Sequence, residues 1–335
     1  MKTTLALTLL LAASSLFLFY SEKTPEQFNT NFSIYTNWKQ SYGQVFSQIE
    51  ESYRFSVFSE NLEYINQHNL VEQDFKLALN QFAALPNEEF ALRNTKKPVQ
   101  SNLPLAKKTV TRTNVPDELN WATKGVVAPV QNQGNCGSCW AFGAVSQLET
   151  LNAIKNDQLI KFSEQQVTSC TGPAGFSSMG CDGGQEMDAF EYVAKYGIQT
   201  EESYPYVQQN DPYTAACKYD SDEVVFKNTG AERLQSNDPD AMISQLQEQT
   251  LSVGVSAGSL GFQFYSSGIL TKNCNGYIDH AVSLTGYNKS NATPYFIVKN
   301  SWGSSWGQQG YVWIEITSGR GTCSINNDVS YPTLN

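Results

Sequence analysis

The chain has 335 residues with 40% apolar and 16% charged side chains, enough for one large domain or two modest ones, and it excludes disorder, collagen and coiled coil. Its formal net charge of −10 is uneven. Residues before 114 hold eleven Lys plus Arg against ten Asp plus Glu, while those from 114 onward hold eleven against twenty-two, which argues against nucleic acid as a partner of the second part.

In chain order, Lys2 precedes an apolar run from Leu5 to Tyr20, with no further charge before Glu22. That layout is a secretory signal peptide over residues 1–20. An uncleaved anchor is the other reading, because the run is near the lower limit for a span. No other stretch is long and apolar enough to cross a bilayer, so no stable membrane association is expected. Residues 23–95 are rich in Glu, Gln and Asn. Phe58, Leu62, Ile65 and Asn69 recur three or four apart and share one helix face. Lys96, Lys97, Lys107, Lys108 and Arg112 then crowd together with Pro98 and Pro104, making a basic, proline-broken linker open to cleavage.

From about Asn114 a compact domain is expected, helical first. Trp140, Ala144, Val145, Leu148, Leu151 and Ile154 form an apolar stripe, and Ser163-Glu-Gln-Gln166 has the capping-box pattern of a second helix. Met187, Phe190 and Ala194 mark a third, stopped by Gly197. Ala281–Tyr287, Tyr295–Val298 and Tyr311–Ile316 read as short strands between Gly and Asn turns. Helices first and strands later predict an α+β fold with two subdomains. The apolar signal and the sequons at Asn31, Asn288 and Asn291 point to the secretory route. Seven cysteines leave at least one thiol over there.

Gln131–Trp140 reads QNQGNCGSCW, and Cys139 stands where the first helix begins. The positive end of a helix dipole favours thiolate over thiol. Gln133 lies six residues earlier and offers a side-chain amide donor for a developing oxyanion, beside the backbone N–H of Cys139. The chain has only two histidines, and His68 precedes the linker, so His280 is the sole imidazole of the later part. Asn300, followed by Ser301 and Trp302, is the candidate to orient that imidazole, with Trp302 shielding the contact from water. A zinc site at Cys136-x-x-Cys139 is the competing reading. It lacks the usual ligand spacing, and neither a metal nor a cofactor is expected.

The CGSCW motif is a known signature of the papain and cathepsin cysteine proteases. His280 follows Cys139 by 141 residues and Asn300 follows it by 161, against a family range of about 130–150. With the flanks DHAV and KNSWGSSWG, the chain resembles that family over nearly its whole length, and in particular the cathepsin L branch. The resemblance implies a papain-like α+β fold with a helical left subdomain, a β-barrel-like right subdomain and an α-helical propeptide domain. It implies a signal peptide at 1–20, an inhibitory propeptide at 21–113 and a mature peptidase at 114–335. It gives Gln133, Cys139, His280 and Asn300 as the catalytic set. Glu50, Arg54, Phe58, Asn61, Ile65 and Asn69 match the ERFNIN helix of the propeptide. A second propeptide motif, Gly-x-Asn-x-Phe-x-Asp, is only half present, since Asn80 and Phe82 fit while Ala78 and Ala84 replace the Gly and the Asp. The resemblance pairs Cys136 with Cys181, Cys170 with Cys217 and Cys274 with Cys323, leaving Cys139 free, although sequence alone permits many other connectivities.

The expected activity is that of a cysteine endopeptidase acting on proteins and peptides through a Cys139 thioester. It is made as a monomeric zymogen, inhibited by its own propeptide and activated by propeptide removal at acidic pH in a lysosome-like vacuole or after secretion. Gly183 and Gly184 match the strand that pairs with the substrate backbone. Glu186 and Asp328 fall where the family lines its main specificity pocket, and acids there should attract Arg or Lys. Two other functions stay open: a binding or storage protein on an inactive protease fold, and an exopeptidase. The intact catalytic set disfavours the first. The lack of a second histidine after the linker disfavours a carboxydipeptidase.

Overall fold

The computed structural model describes residues 25–92, 114–274 and 276–334. The signal segment and the basic linker lie outside the described residues. The chain divides into two compact units, at residues 60 and 61. This boundary falls inside a helix.

In the first unit, helix α1 spans Pro25–Ser41, and helix α2, Gln48–Val71, begins there. Ser47 Oγ donates to Glu50 Oε2 at 2.7 Å while the Glu50 N–H donates back to Ser47 Oγ, closing a capping box at the start of α2. Tyr35 and Trp38 of α1 meet Phe58 of α2, each with ring centroids 5.2 Å apart. Asn31 is buried, which makes it a poor glycosylation acceptor, whereas Asn291 is exposed.

The second unit runs from Asn61 onward. Asn61 Nδ2 donates to the carbonyls of Ala83 and Leu85, and Asn69 brackets Leu77, donating to its carbonyl and accepting from its N–H. These two asparagines of the ERFNIN pattern thus hold the following segment to α2. That segment contains strand β1, Phe75–Leu77, and helix α3, Asn87–Leu92. This strand is not among those expected from the sequence. It pairs antiparallel with β5, Tyr265–Leu270, so Phe75 and Leu77 are buried by adding an edge strand to the sheet.

The remaining strands are β2 (Glu118–Asn120), β3 (Gly230–Arg233), β4 (Leu251–Val255), β6 (His280–Asn288), β7 (Tyr295–Lys299), β8 (Tyr311–Glu315) and β9 (Val329–Thr333). Their order is β1-β5-β8-β7-β6-β4-β9-β3, with β2 on the far end of β6; β5 and β8 run parallel. The three strands expected from the sequence are β6, β7 and β8. Strand β6 is central and buried from His280 to Tyr287. The helices α4 (Cys139–Asn156), α5 (Glu164–Cys170) and α6 (Glu186–Tyr196) precede most of the sheet, and short α7 (Pro239–Leu246) and α8 (Leu260–Gln263) lie among its strands.

Helix α4 differs from the expected one-sided stripe, because it is buried all round from Cys139 to Ala153. It packs against α6 on one side and β6 on the other, so an apolar stripe and a ring of small and polar residues are both covered. Gly143 permits this closeness: a Cβ there would stand 3.2 Å from Ser252 Oγ and 3.6 Å from the Ala281 Cβ. Ser163 caps α5 by accepting from the Gln166 N–H, as expected. Gln166 does not reach back but spends its side chain on Tyr192, Gly197 and Gln199. Gly197 ends α6 with φ 87°. The three disulfides are those the resemblance implied, with Cα separations of 4.6, 4.8 and 5.2 Å, and Cys139 is the cysteine outside them.

Candidate active site

Cys139 is the first residue of α4 and is buried. The preceding loop is tied down by the Cys136–Cys181 disulfide and by the Gly137 N–H on the Cys181 carbonyl, 3.0 Å. The nucleophile candidate therefore sits at a rigid helix N-terminus, where the dipole and the first-turn N–H groups favour an anion.

His280 opens β6, and Asn300 follows directly on β7. The antiparallel register pairs Ser283 with Lys299, so the start of β6 and the residue after β7 come together although 20 positions separate them. His280 Nε2 lies 2.7 Å from Asn300 Oδ1. An amide oxygen only accepts, so Nε2 carries the proton and Nδ1 is the basic nitrogen of the neutral ring. Asn300 is itself fixed: its Oδ1 also accepts from the Ser301 N–H at 2.8 Å, and its own N–H donates to the Gly310 carbonyl.

Trp302 stacks on His280, with ring centroids 4.6 Å apart and planes 23° from parallel. It is 3% exposed and meets Phe262 and Trp306 edge-on, which makes a dry aromatic wall over the His280–Asn300 bond. Gln133 is buried and held at both ends of its amide. Oε1 accepts from Ser301 Oγ at 2.7 Å, and Nε2 donates to the Cys136 carbonyl at 3.1 Å. The structure therefore ties Gln133 to the loop before Cys139 and to the strand end after Asn300, and His280 to Asn300 and Trp302.

The remaining expected residues behave differently. Gly183 has φ 105°, a conformation that favours glycine. A Cβ at Gly184 would lie 2.5 Å from the Trp140 ring, so the indole excludes any side chain there. Glu186 is buried at the start of α6 and accepts from Ser252 Oγ at 3.3 Å. Asp328 is bonded by Arg233, whose Nη2 lies 2.8 Å from Oδ1, both side chains being about one-fifth exposed. That pairing balances the charge the carboxylate was expected to offer a cationic substrate. Nothing local marks it, because the two residues come from β3 and the turn before β9.

Residues 61–92, from the segment before the basic linker, reach this site. Phe82 and Phe90 lie edge-on to Trp302 at 5.5 and 5.3 Å, and Gln81 Nε2 donates to the Trp302 carbonyl. Asn80 Nδ2 donates to the Gln263 carbonyl at 2.7 Å while its Oδ1 accepts from the Phe82 N–H. Ala84 is fully buried, so the half-present motif places a methyl where its relatives' pattern has a carboxylate. A cavity of about 430 Å³ lined by Asn135, Gly137, Cys181 and Asp182 is also lined by Glu89 and Leu92 of α3.

No group of three His, Cys, Asp or Glu side chains among the described residues is placed to hold a metal. No described helix is long and apolar enough to cross a membrane.

Residues 115–333 match the family model described as papain family cysteine protease, and residues 35–90 match the cathepsin propeptide inhibitor domain (I29). The chain is 38% identical to the senescence-specific cysteine protease SAG12 of Arabidopsis thaliana over 315 residues, covering 89% of this chain and 88% of that one. It is 35% identical to chymopapain of Carica papaya, covering 93% and 90%. Among solved structures it resembles the proform of the ragweed pollen cysteine protease Amb a 11, with a TM-score of 0.82, 31% identity and coverage of 94% and 98%. It likewise resembles digestive procathepsin L 3 of Tenebrio molitor larval midgut, with 0.81, 32%, 91% and 99%. With a peptidase model and an inhibitor model matched in tandem, and proforms superposing along nearly the whole chain, the protein belongs to the papain family of cysteine proteases and carries a cathepsin-type inhibitory propeptide.

Proposed function

We infer that the mature part, residues 114–335, is an endopeptidase whose nucleophile is Cys139, with His280 as acid and base, Asn300 as its orienting group and Gln133 with the Cys139 N–H as oxyanion donors. The observation that carries this reading is the 2.7 Å bond from His280 Nε2 to Asn300 under Trp302, which leaves Nδ1 to exchange the proton of a thiol. Cys139 thiolate attacks the scissile carbonyl. As the C–N bond breaks, imidazolium protonates the leaving amine; water then attacks the thioester and gives its proton to His280. The test is an epoxide electrophile applied to the matured protein. Label on Cys139 alone, with loss of peptide hydrolysis, is expected; hydrolysis that survives full labelling refutes the reading. A binding protein on an inactive fold would take no label.

The proposed product route is secretory, to an acidic vacuole or the exterior, with the signal removed near residue 20. Propeptide residues 21–113 are proposed to inhibit by covering the cleft, as the Phe82 and Phe90 rings on Trp302 support. Release at acidic pH has a candidate trigger in His68. It is buried in the last turn of α2, with Nε2 3.3 Å from the Phe75 carbonyl on the strand added to β5. Burial pushes its pKa below the ordinary 6.5. The Phe75 bond and Glu72 oppose that shift, while Lys76 and Lys272 add to it. With release taken to unpack His68 from Phe75, the docked form binds fewer protons than the released one. Docking is fully stabilised above about pH 6.5 and weakens as pH falls below it.

Glu72, by contrast, has burial raising its pKa, yet bonds from Lys272 and the Asp74 and Gln73 N–H groups bring it to about 2. That ion pair therefore survives mild acid. His68→Gln is expected to slow self-processing several-fold near pH 5 and to move its midpoint to lower pH, by a fraction of a unit to about one unit. An unchanged processing profile would remove His68 from the mechanism.

Arg233 and Asp328 are proposed to set side-chain preference together. Asp328→Ala leaves a half-buried cation at the pocket, so cleavage of Arg-Arg peptides should fall against Phe-Arg peptides. Arg233→Ala frees the carboxylate and should raise it, each by about three- to tenfold. Ratios unaffected by both substitutions would place the pair outside the pocket.

A further inference from the structure

Behind the catalytic elements lies a set of buried charges that the mechanism leaves unused. Lys299 is the last residue of β7 and only 5% exposed. Its side chain runs under α4, where Nζ comes within 3.5 Å of Ser146 Oγ. Ser146 passes the contact on to Ser283 Oγ at 3.2 Å, which also accepts from Gln147 Nε2 at 2.7 Å. A cavity of about 20 Å³, enough for about one water, is lined by Phe142 and Ser146 of α4, Glu164 of α5, Ser283 of β6, and Lys299 with Asn300.

The charged groups facing Lys299 are Glu149 of α4, Glu164 of α5 and Lys161 of the loop between them. Lys161 takes both acids, at 2.9 and 2.5 Å, and no carboxylate among the described residues lies within 4 Å of the Lys299 ammonium. Burial pushes the Lys299 pKa below the ordinary lysine value, with Glu149 opposing, Lys161 adding to the shift and Glu164 opposing it; the ammonium is therefore costly to keep, and a methionine of similar length would fill the same space without that cost. Its location suggests what the charge does. Lys299 is joined by one peptide bond to Asn300, the partner of His280. Ser146 stands two helical turns, roughly 10 Å, beyond Cys139. A single contact thus joins the element carrying the thiol to the element carrying the histidine's orienting amide.

We propose that Lys299 is a positioning residue of this active site, whose buried ammonium holds α4 against the strand leading into Asn300 and sets a fixed positive potential behind the Cys139–His280 pair. This rests on the catalytic reading above. A positive charge favours thiolate over thiol and imidazole over imidazolium, so it holds both ionisations at lower pH. Taking the separation as on the order of the 10 Å between Ser146 and Cys139, with an effective dielectric constant of about 20, removing it should raise both inflections by about one pH unit.

The experiment uses matured wild type, Lys299→Met and Lys299→Gln, the amide serving where methionine fails to fold. Two quantities are measured: the rate of Cys139 alkylation by iodoacetamide across pH, and kcat and KM on a fluorogenic peptide. The expected result is a kcat lower by about tenfold or more, a KM within about twofold, and both alkylation inflections displaced upward. A lower kcat with unmoved inflections would show Lys299 to be mere scaffolding and overturn the proposal, as would unchanged kinetics. A wild-type Cys139 that iodoacetamide does not alkylate at any pH would overturn the catalytic reading as well.

Discussion

Replacing Cys139 by serine is expected to yield a folded precursor that never matures itself and hydrolyses peptides about 10⁴- to 10⁶-fold more slowly than wild type. The substitution changes one buried atom at the start of α4 and disturbs none of the three disulfides, because Cys139 is the cysteine outside them. The chemical change is nonetheless large. A helix N-terminus helps a thiol to ionise, but a hydroxyl starts from a far higher pKa and stays protonated. The readouts are the persistence of the uncut chain on a gel at acidic pH, loss of the epoxide label, and an unchanged melting transition. Processing at the wild-type rate by Cys139→Ser would show that another group performs the attack.

His280→Ala is expected to lower kcat/KM by at least about 10²–10⁴-fold, the usual worth of acid–base assistance, with a further loss from the missing ion-pair partner. His280 is fully buried between β6 and Trp302, so its removal leaves a void, and a stability loss of about 1–3 kcal/mol is expected alongside. The pH–rate profile separates the two effects. A destabilised but catalytically intact enzyme keeps both limbs, whereas loss of the imidazole flattens the profile between them. His280→Gln, which fills more of the void, serves as the control for stability. A variant with both limbs in place would take His280 out of the chemistry.

Trp302 stands between the proposed catalytic pair and the propeptide. The ring that covers the His280–Asn300 bond also receives Phe82 and Phe90 of the propeptide. A surface that must be dry and aromatic to protect a hydrogen bond is also a favourable place to dock apolar rings. Substrate and propeptide are thereby expected to compete for one wall of the cleft. The β1–β5 pairing adds backbone hydrogen bonds to this aromatic contact, and Gly268 lets the strands approach: a Cβ there would stand 2.7 Å from the Phe75 Cα.

The sequence by itself marked helices α2, α4, α5 and α6, strands β6, β7 and β8, and the candidates for the reacting groups. Residues close along the chain carry those signals: the apolar spacing of α2, the Ser163 cap of α5, Gly197 at the end of α6, and the CGSCW run at the start of α4. His280 became the candidate base by counting, since no other imidazole follows the linker. The family resemblance supplied the disulfide pairing, which the fold reproduces. Only the tertiary structure decided which side chains meet. The β6–β7 register brings His280 to Asn300, and β3 beside β9 gives Asp328 its partner Arg233, 95 positions away. Burial of α4 on every side, the strand β1 lent by the propeptide, and Lys299 under Ser146 belong to the same class. Local patterns specify helix and strand because their periods repeat within a few residues. Strand register, charge pairing and burial of a second helix face depend on what packs from far along the chain, and no short window of sequence contains both partners.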